Sequence, residues 1–388
     1  MNYLHGRAFV DGALRDDILI SIDRGVIVDV AQSVRVPAEA ERVRGILAPG
    51  FIDVHVHGGD GADFMDAHDE AAERILAFHA RHGTTALAAT TLSASRADLR
   101  GAVESIVRIG LVNGAEIVAV HLEGPYLNPE RAGAQDRGSI RAADINELAA
   151  LIAEGPRMRW IVTLAPEVEG ARGLIEHFRD RVLFAIGHTA ADHALAVAAL
   201  EWGASHFTHL YNAMTGLHHR DPGVVGAALT SVHATAELIA DGVHVHQAAL
   251  RVAVTAMPHR IALVTDAMRA CGLPDGTYKL YDYDVTVADG TARLVGGTLA
   301  GSVLTMGDAV KNMVELAGLP IETVLPLATE VPARIAAVAD RKGKIEVRYD
   351  ADVVALSERF EVERVWARGE EILKAEGRRQ KAERRRSR

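Results

Sequence analysis

Eight short apolar segments alternate with helix-like segments through the middle of this chain, and no other feature limits the fold as strongly. Each segment is rich in branched aliphatic residues, as expected for a strand that is buried on both faces. Eight strands alternating with helices predict an α/β fold, a closed (β/α)8 barrel of the TIM type. An open doubly wound sheet is the alternative, but no G-x-G-x-x-G motif follows the first strand. The predicted strands are 51–57, 84–91, 117–123, 159–165, 182–188, 205–209, 237–241 and 261–266.

Two of the intervening segments carry helix signals at their ends. Residues 70–82 show an apolar face with helical spacing and are followed by Gly83, a residue type that commonly ends helices. Residues 190–202 follow Thr189, which we interpret as the N-cap residue, with Asp192 as its capping-box partner. Both helices therefore fit between successive barrel strands.

The two ends of the chain predict a second, smaller domain. In the N-terminal part, alternating apolar residues are interrupted by Asp11-Gly12 and Arg24-Gly25, which are typical of hairpin turns. The stretch GKIEVRYDADVVAL near the C-terminus has the same character. We therefore predict a small β-sandwich built from residues 1–47 and 341–376, with the barrel at 48–340. Residues 377–388 are strongly basic and are interpreted as a disordered tail.

Charge and cysteine content exclude several classes of protein. The chain has 42 Lys and Arg against 52 Asp and Glu, a net charge of −10, which argues against a nucleic-acid-binding surface. No run of about 18 apolar residues predicts a membrane span, and the first residues lack the pattern of a signal peptide. The single cysteine, Cys271, rules out a disulfide within the chain. We predict a cytoplasmic protein that binds neither nucleic acid nor membranes.

Side chains that bind metals or move protons stand at the ends of five predicted strands. In a (β/α)8 barrel the active site forms where the C-terminal ends of the strands meet. The first strand ends in His55 and His57, which are two residues apart and therefore point to the same side. The full set is His55, His57, Glu123, His188, His209 and Asp266.

These residue types predict a divalent metal ion. Imidazole and carboxylate ligands together suit zinc, iron and similar ions. Glu123 ends an apolar strand, where a carboxylate is costly to bury without a partner, and a metal ion would be such a partner. Asp266, close to that ion, could take a proton from water and pass it to a leaving group.

Several stretches resemble a known family. The first strand, in APGFIDVHVHGG, resembles the signature of the amidohydrolase superfamily of metal-dependent hydrolases. Within that superfamily the chain resembles the N-acetylglucosamine-6-phosphate deacetylases through six further stretches, which are HLEGPYLNPERAGAQ, GHTAAD, FTHLYNAMTGLHHRDPG, ADGVHVH, LVTDAM and GGTLAGS. The match runs in order from about residue 48 to residue 302.

The resemblance implies one or two divalent ions per subunit. The residues that match the family's main metal ligands are Glu123, His188 and His209. Both histidines of the first-strand pair are present, so a second ion at His55 and His57 is implied as well. Zinc is the expected metal, with iron, manganese and cobalt as alternatives.

The same comparison implies the catalytic and substrate-binding residues. Asp266 matches the family's catalytic acid and base, and Arg220 matches the arginine that binds the substrate phosphate. Gln135 stands where some members carry a histidine near the substrate. The other residues implied in substrate binding are Asn212, Ala213 and His244.

The activity implied by the resemblance is hydrolysis of the acetamide of N-acetyl-D-glucosamine 6-phosphate to D-glucosamine 6-phosphate and acetate, in amino-sugar catabolism and cell-wall recycling. Two alternatives stay open. One is a deacetylase of a related sugar such as N-acetylgalactosamine 6-phosphate, and the other is a non-catalytic scaffold with the amidohydrolase fold. Because family members are commonly dimers, a homodimer is expected, with Arg220 near the partner subunit's site.

Overall fold

The computed structural model describes residues 1–32 and 35–372, and the predicted basic tail at 377–388 lies outside them. The strands are β1 Asn2–Val10, β2 Ala13–Asp23, β3 Val26–Gln32, β4 Glu41–Pro49, β5 Phe51–Val56, β6 Gly58–Gly59, β7 Ala62–Asp63, β8 Thr84–Thr91, β9 Glu116–Glu123, β10 Arg159–Leu164, β11 Val182–Ile186, β12 His206–Phe207, β13 Thr235–Ile239, β14 Ile261–Val264, β15 Gly276–Leu280, β16 Tyr283–Ala288, β17 Thr291–Leu294, β18 Val353–Leu356, β19 Val362–Ala367 and β20 Glu370–Ile372. The α-helices are α1 Asp69–Arg81, α2 Arg96–Arg108, α3 Ile145–Glu154, α4 Ala171–Phe178, α5 His193–Trp202, α6 Gly223–Thr230, α7 Gln247–Ala256, α8 Met306–Glu315, α9 Ile321–Ala328 and α10 Glu330–Ile335.

Eight parallel strands form the barrel, which confirms the predicted fold. They are hydrogen-bonded in the order β14-β13-β12-β11-β10-β9-β8-β5, which is chain order with only the ribbon of β6 and β7 set apart. The first and last strands meet where the Asp266 amide donates to the His55 carbonyl at 2.8 Å and the His57 amide donates to the Ala267 carbonyl at 2.9 Å. These bonds place the ends of β5 and β14 side by side.

All eight predicted barrel strands are present, although several end earlier than predicted. The sixth was predicted over 205–209, whereas β12 covers only His206–Phe207. The reason is that the backbone leaves the extended conformation before the candidate site residues. His188, His209 and Asp266 have φ angles of 47°, 27° and 49°. Each of these residues therefore lies just beyond the end of its strand.

The predicted helices are also present, with one correction. Helix α1 begins and ends within one residue of the predicted 70–82. Helix α5 begins at His193, and its N-cap is Asp192, whose carboxylate accepts the amide of Leu195 at 2.8 Å. The prediction that Thr189 caps this helix was wrong, because its hydroxyl instead donates to Glu167 at 2.5 Å. No helix in the described ranges has both the length and the apolar character needed to cross a membrane.

Both ends of the chain contribute to a separate β domain, as predicted. Its seven strands form one sheet in the order β20-β19-β18-β4-β1-β2-β3. The C-terminal part of the chain joins this sheet only from Val353 onward, where β18 begins. Most of the predicted strand at GKIEVRYDADVVAL is therefore turn and loop. Buried Leu4, Ile20, Leu47 and Trp366 belong to a core of its own. The exact division into 1–47, 48–340 and 341–376 stays a prediction.

A second, small sheet was not predicted. Strands β15, β16 and β17 form an antiparallel meander between β14 and α8. The Tyr283 hydroxyl donates to Asp136 at 2.8 Å, and the Tyr281 hydroxyl donates to Asp98 at 2.8 Å. These bonds attach the inserted sheet to the first turn of α2 and to the loop that follows β9, at the C-terminal end of the barrel.

Candidate active site and metal centre

The residues predicted at the strand ends converge on one cavity. Its volume is ≈ 480 Å³, and it lies at the C-terminal face of the barrel, where active sites of this fold form. The strand-end side chains that line it are those of His57, Glu123, His188, His209 and Asp266. His55 lies deeper and is fully buried.

Three of these side chains present their ligand atoms to one another. Glu123 Oε1 lies 3.0 Å from His188 Nε2 and 3.0 Å from His209 Nε2, and the two imidazole nitrogens are 3.0 Å apart. Two imidazoles and one carboxylate, all buried, form a donor set that suits a divalent cation such as zinc. The chemistry of these three residues therefore fits the implied metal ion, and their atoms lie close enough together to serve one ion.

Local structure fixes the orientation of His188. Its Nδ1–H donates to the Arg131 carbonyl at 2.8 Å, which leaves the lone pair of Nε2 facing the cluster. The loop that carries Arg131 approaches the imidazole closely at Gly133. A Cβ atom there would lie 3.3 Å from His188 Cε1, on a backbone with a φ of 61°, so a glycine suits this contact.

A second group lies beside the first and shares Glu123 with it. His57 Nε2 is 3.1 Å from Asp266 Oδ1 and 3.2 Å from Glu123 Oε2. His55 Nε2 is 3.2 Å from His57 Nε2 and 3.6 Å from Asp266 Oδ1. Glu123 Oε2 thus faces His57, whereas Oε1 faces His188 and His209 and lies 3.6 Å from His55 Nε2. This arrangement is suited to two neighbouring cations with a common carboxylate ligand.

The charges of these buried groups depend on one another. Burial by itself favours the neutral form of each group. For Glu123 this effect is outweighed by the imidazoles of His55 and His188, and its pKa lies well below the usual range. For His57 the carboxylates of Asp266 and Glu123 outweigh burial and raise the pKa to about 9. At Asp266 the imidazoles of His55 and His57 outweigh burial and lower the pKa, so both carboxylates are ionised, as cation binding requires.

The sequence prediction missed a further polar layer beneath this cluster. Glu237 of β13 is fully buried and lies within hydrogen-bond distance of His55 Nδ1 and His206 Nε2, at 2.9 and 3.1 Å. His121 of β9 contacts the Val54 carbonyl and the Thr163 hydroxyl. A glutamate within an apolar strand was the signal that could have pointed to Glu237, since burying a charge requires partners.

Four predicted substrate-binding residues lie on the cavity wall, namely Gln135, Asn212, Ala213 and His244. The Gln135 amide donates to Glu123 Oε2 at 2.6 Å, so this residue contacts a candidate metal ligand directly. His244 Nδ1 lies 2.6 Å from Asp241. Burial lowers the pKa of His244, but the Asp241 carboxylate outweighs burial and raises it, which favours the cationic form.

Arg220 is the one predicted substrate-binding residue that does not line this cavity. It is exposed in the loop before α6, where its guanidinium contacts His219 Nε2 at 2.7 Å. Three arginines that the sequence prediction did not single out line the cavity instead, and they are Arg131, Arg137 and Arg293. Arg293 belongs to the inserted sheet, which the prediction also missed.

Known proteins resemble this chain over nearly its full length. The model of the amidohydrolase family matches residues 46–372. The chain is 39% identical over 359 residues to the N-acetylgalactosamine-6-phosphate deacetylase of Escherichia coli O157:H7, covering 92% of this chain and 94% of that protein. It is 40% identical over 339 residues to the N-acetylglucosamine-6-phosphate deacetylase of Bacillus subtilis strain 168, covering 86% and 84%.

A solved structure gives the same likeness in three dimensions. It is that of a variant N-acetyl-D-glucosamine-6-phosphate deacetylase from Mycobacterium smegmatis in complex with N-acetyl-D-glucosamine 6-phosphate. The TM-score is 0.90 at 33% sequence identity, and the likeness covers 96% of this chain and 99% of the other.

Proposed function

This chain belongs to the amidohydrolase family, and from that membership we propose that it hydrolyses the acetamide of N-acetyl-D-glucosamine 6-phosphate to D-glucosamine 6-phosphate and acetate. The observation that carries the proposal is the convergence of Glu123, His188, His209 and Asp266 at one cavity. A non-catalytic scaffold would have no use for a buried set of metal ligands beside an ionised carboxylate.

Five side chains are proposed to hold divalent metal ions in the cavity. Glu123, His188 and His209 would hold one divalent ion, with zinc expected and iron, manganese or cobalt as alternatives. His55 and His57 would hold another, with Glu123 Oε2 3.2 Å from His57 Nε2 and Glu123 Oε1 3.6 Å from His55 Nε2. A divalent ion in such a site polarises a carbonyl group and lowers the pKa of water.

Asp266 is proposed to carry the proton. Its carboxylate lines the cavity and has a lowered pKa, so it is ionised near neutral pH and can accept a proton from the attacking water. The same oxygen can then donate that proton to the amide nitrogen as the C–N bond breaks, so that the nitrogen leaves as a neutral amine. The backbone of Asp266 is held by the bond from its amide to the His55 carbonyl, and its carboxylate lies 3.1 Å from His57 Nε2.

The remaining cavity residues are proposed to bind the sugar phosphate. Asn212, Ala213 and His244 face the cavity from the loops after β12 and β13, and a cationic His244 suits an anionic phosphate. Gln135 is proposed to act near the substrate while its amide supports Glu123. The phosphate-binding role predicted for Arg220 requires a second subunit, since Arg220 does not line its own cavity.

We therefore propose a homodimer in which Arg220 of each subunit reaches the partner's cavity. The loop is suited to a contact between subunits, because Leu217 in the same loop is 58% exposed. A cytoplasmic location is part of the proposal, in keeping with a phosphorylated sugar substrate and a single, buried cysteine.

A second candidate substrate is N-acetyl-D-galactosamine 6-phosphate, the C4 epimer. It is favoured by the 39% identity to a deacetylase named for that sugar. Both epimers carry the same acetamide and phosphate groups, so the metal ligands and Asp266 would serve either. Selectivity would depend on the cavity wall that faces C4.

Acetate release from the two epimers, compared under the same conditions with metal-replete protein, tests the proposal. Faster release from the glucosamine derivative supports the first candidate, and faster release from the galactosamine derivative supports the second. Release from neither, in protein that contains metal, would contradict the enzymatic function.

Metal content tests the proposed ligands separately. His188→Ala and His209→Ala should each lose the ion at Glu123, because two ligands remain where three are needed. His233→Ala, which removes an exposed imidazole, is the matched control and should keep the wild-type metal content. Elemental analysis of the purified variants measures this, and full metal content in both ligand variants would contradict the assignment.

A further inference from the structure

Glu237 is a buried carboxylate in the barrel interior that the proposed mechanism does not use. It lies in the middle of β13 and its side chain is fully shielded from solvent. The interiors of (β/α)8 barrels are usually filled by branched apolar side chains. A charge in this position is costly unless hydrogen bonds satisfy it, so its partners indicate what it does.

Both carboxylate oxygens of Glu237 have partners. Oε2 lies 2.9 Å from His55 Nδ1 and accepts the His209 backbone amide at 3.0 Å. Oε1 lies 3.1 Å from His206 Nε2. One carboxylate thus links β5 to β13 across the barrel and also supports the turn that begins at His209. Two of its three partners belong to residues that are themselves candidate metal ligands.

The contact with His55 determines which nitrogen faces the cluster. When Nδ1–H donates to Glu237, the lone pair of Nε2 points towards His57 Nε2 at 3.2 Å and Glu123 Oε1 at 3.6 Å. A carboxylate on the far nitrogen also makes an imidazole a stronger metal ligand. His57 has no such support, since its Nδ1 is buried without a hydrogen-bond partner among the described residues.

We propose that Glu237 is a positioning residue that holds His55 in the ligand-competent orientation and thereby sets the affinity of the His55–His57 site for a second divalent ion. The inference rests on the proposed function, because that function is what calls for metal ions in this cavity. The inference extends the proposed function, because it makes the affinity for the second ion depend on Glu237, a carboxylate that does not contact that ion.

Zinc titration of metal-free protein, with no substrate present, tests this proposal. Wild type should bind two ions, one at Glu123, His188 and His209 and one at His55 and His57. Glu237→Gln keeps the shape but removes the charge, and it should weaken the second ion by about 10- to 100-fold. The first ion should keep its affinity, because the side-chain amide oxygen of that variant can still accept the His209 amide.

Three further variants separate positioning from a general loss of stability. Thr163→Val is the matched control, since it removes interior hydrogen bonds to His121 and Thr208 and should lower Tm with both ions retained. Glu237→Asp keeps the charge on a shorter chain and should bind the second ion with intermediate affinity. His55→Gln should lose the second ion, and adding Glu237→Gln to it should cause no further loss if Glu237 acts through His55.

The inference would be overturned if wild type bound one ion, if Glu237→Gln bound both ions normally, or if that variant lost both ions equally. Additive effects in the double variant would overturn it as well. Two ions in a wild-type protein that releases no acetate would contradict the proposed function and support the metal-site inference. Acetate release by a wild-type protein that binds a single ion would support the proposed function and contradict the metal-site inference.

Discussion

His188, His209 and Asp266 share a backbone conformation that few residues other than glycine adopt. Their φ angles of 47°, 27° and 49° are positive, in or near the left-handed region, where an L side chain crowds its own backbone. Such residues cost on the order of 1–3 kcal/mol each and persist where surrounding contacts hold them. Here the contacts include the bond from His188 Nδ1 to the Arg131 carbonyl and the bond from the Asp266 amide to His55. This conformation directs three candidate site side chains towards one cavity.

Asp266→Asn tests the proposed proton carrier. Asparagine has nearly the same shape but cannot accept and return a proton, so kcat should fall by about 10²- to 10⁴-fold. Substrate affinity and the ion at Glu123 should be retained. Steady-state acetate release, with metal analysis of the same sample, measures both effects.

The control for this variant is Asp289→Asn, the same substitution at another aspartate with a φ of 49°. Asp289 is exposed in a turn of the inserted sheet, so its replacement should leave kcat unchanged. Near-normal turnover in Asp266→Asn would show that another group moves the proton.

At the scale of elements, the sequence predicted the barrel strands, which are buried on both faces, and missed the inserted strands, which have one exposed face. Continuous apolar runs mark the barrel strands, and all eight were predicted from them. In β16 buried and exposed residues alternate, and the three inserted strands have only four to six residues each. Short strands with one buried face resemble an ordinary long loop in the sequence. This is why the inserted sheet and Arg293 were missed.

In the candidate site, too, the sequence predicts some features and not others. Residues at strand ends could be predicted, because the barrel brings all such ends to one face. Contacts across the interior could not, since His55 and Glu237 are 182 residues apart and no local pattern links them. The position of Arg220 outside the cavity depends on the course of a loop, which residue types alone do not determine.

Helix α5 offers a prediction at this scale, because its first turn depends on one side chain. The Asp192 carboxylate accepts the Leu195 amide, which would otherwise lack an intrahelical acceptor. Asp192→Ala should lower the free energy of unfolding by about 1 kcal/mol. Glu201→Ala removes a carboxylate from the other end of the same helix and should not destabilise, since an acid is unfavourable there. Denaturant unfolding compares the two, and equal losses would show that the effect is not capping.

At the scale of the whole molecule, a charge cluster centred on the buried Lys342 joins the barrel to the β domain. Lys342 Nζ lies 2.6 Å from Asp352, 2.8 Å from Asp350 and 3.1 Å from Glu116, the first residue of β9. Arg341 pairs with Glu116 as well. Burial raises the pKa of Glu116, but the two cations outweigh burial and lower it below its ordinary value of 4.5.

Lys342→Met should therefore destabilise the protein strongly, since it leaves the buried Asp352 carboxylate without its cation and Glu116 and Asp350 with Arg341 alone. Breaking such a cluster costs about 3–5 kcal/mol. Lys344→Met, at a lysine whose side chain is 46% exposed, is the control and should have little effect. A loss no larger than that of the control would contradict the assigned role.

The same cluster predicts a pH dependence with a defined sign. Because the folded-state pKa of Glu116 is lowered, its contribution to stability is present above pH 4.5 and is lost as the pH falls through the lower folded value. The difference in unfolding free energy between wild type and Lys342→Met should narrow in that acidic range. A difference that stays constant from neutral to acidic pH would show that these carboxylates do not stabilise the fold through their charge.

In the proposed dimer, Arg220 of each subunit binds the substrate phosphate in the partner's cavity. On a chain of net charge −10, a dianionic phosphate needs local positive charge, and a hydrogen bond to a charged group contributes about 1.5–3 kcal/mol. Arg220→Ala should raise KM for the phosphorylated sugar by roughly 10- to 100-fold and barely change the weak reaction with the neutral sugar.

Mixed dimers of Arg220→Ala and Asp266→Asn should then regain activity at low substrate concentration, because one cavity would combine an intact Asp266 with the partner's arginine. Without subunit exchange the mixture should stay inactive, which is the control. If both substrates lose kcat/KM by the same factor, Arg220 does not bind the phosphate, and if mixing restores nothing, it does not serve the partner.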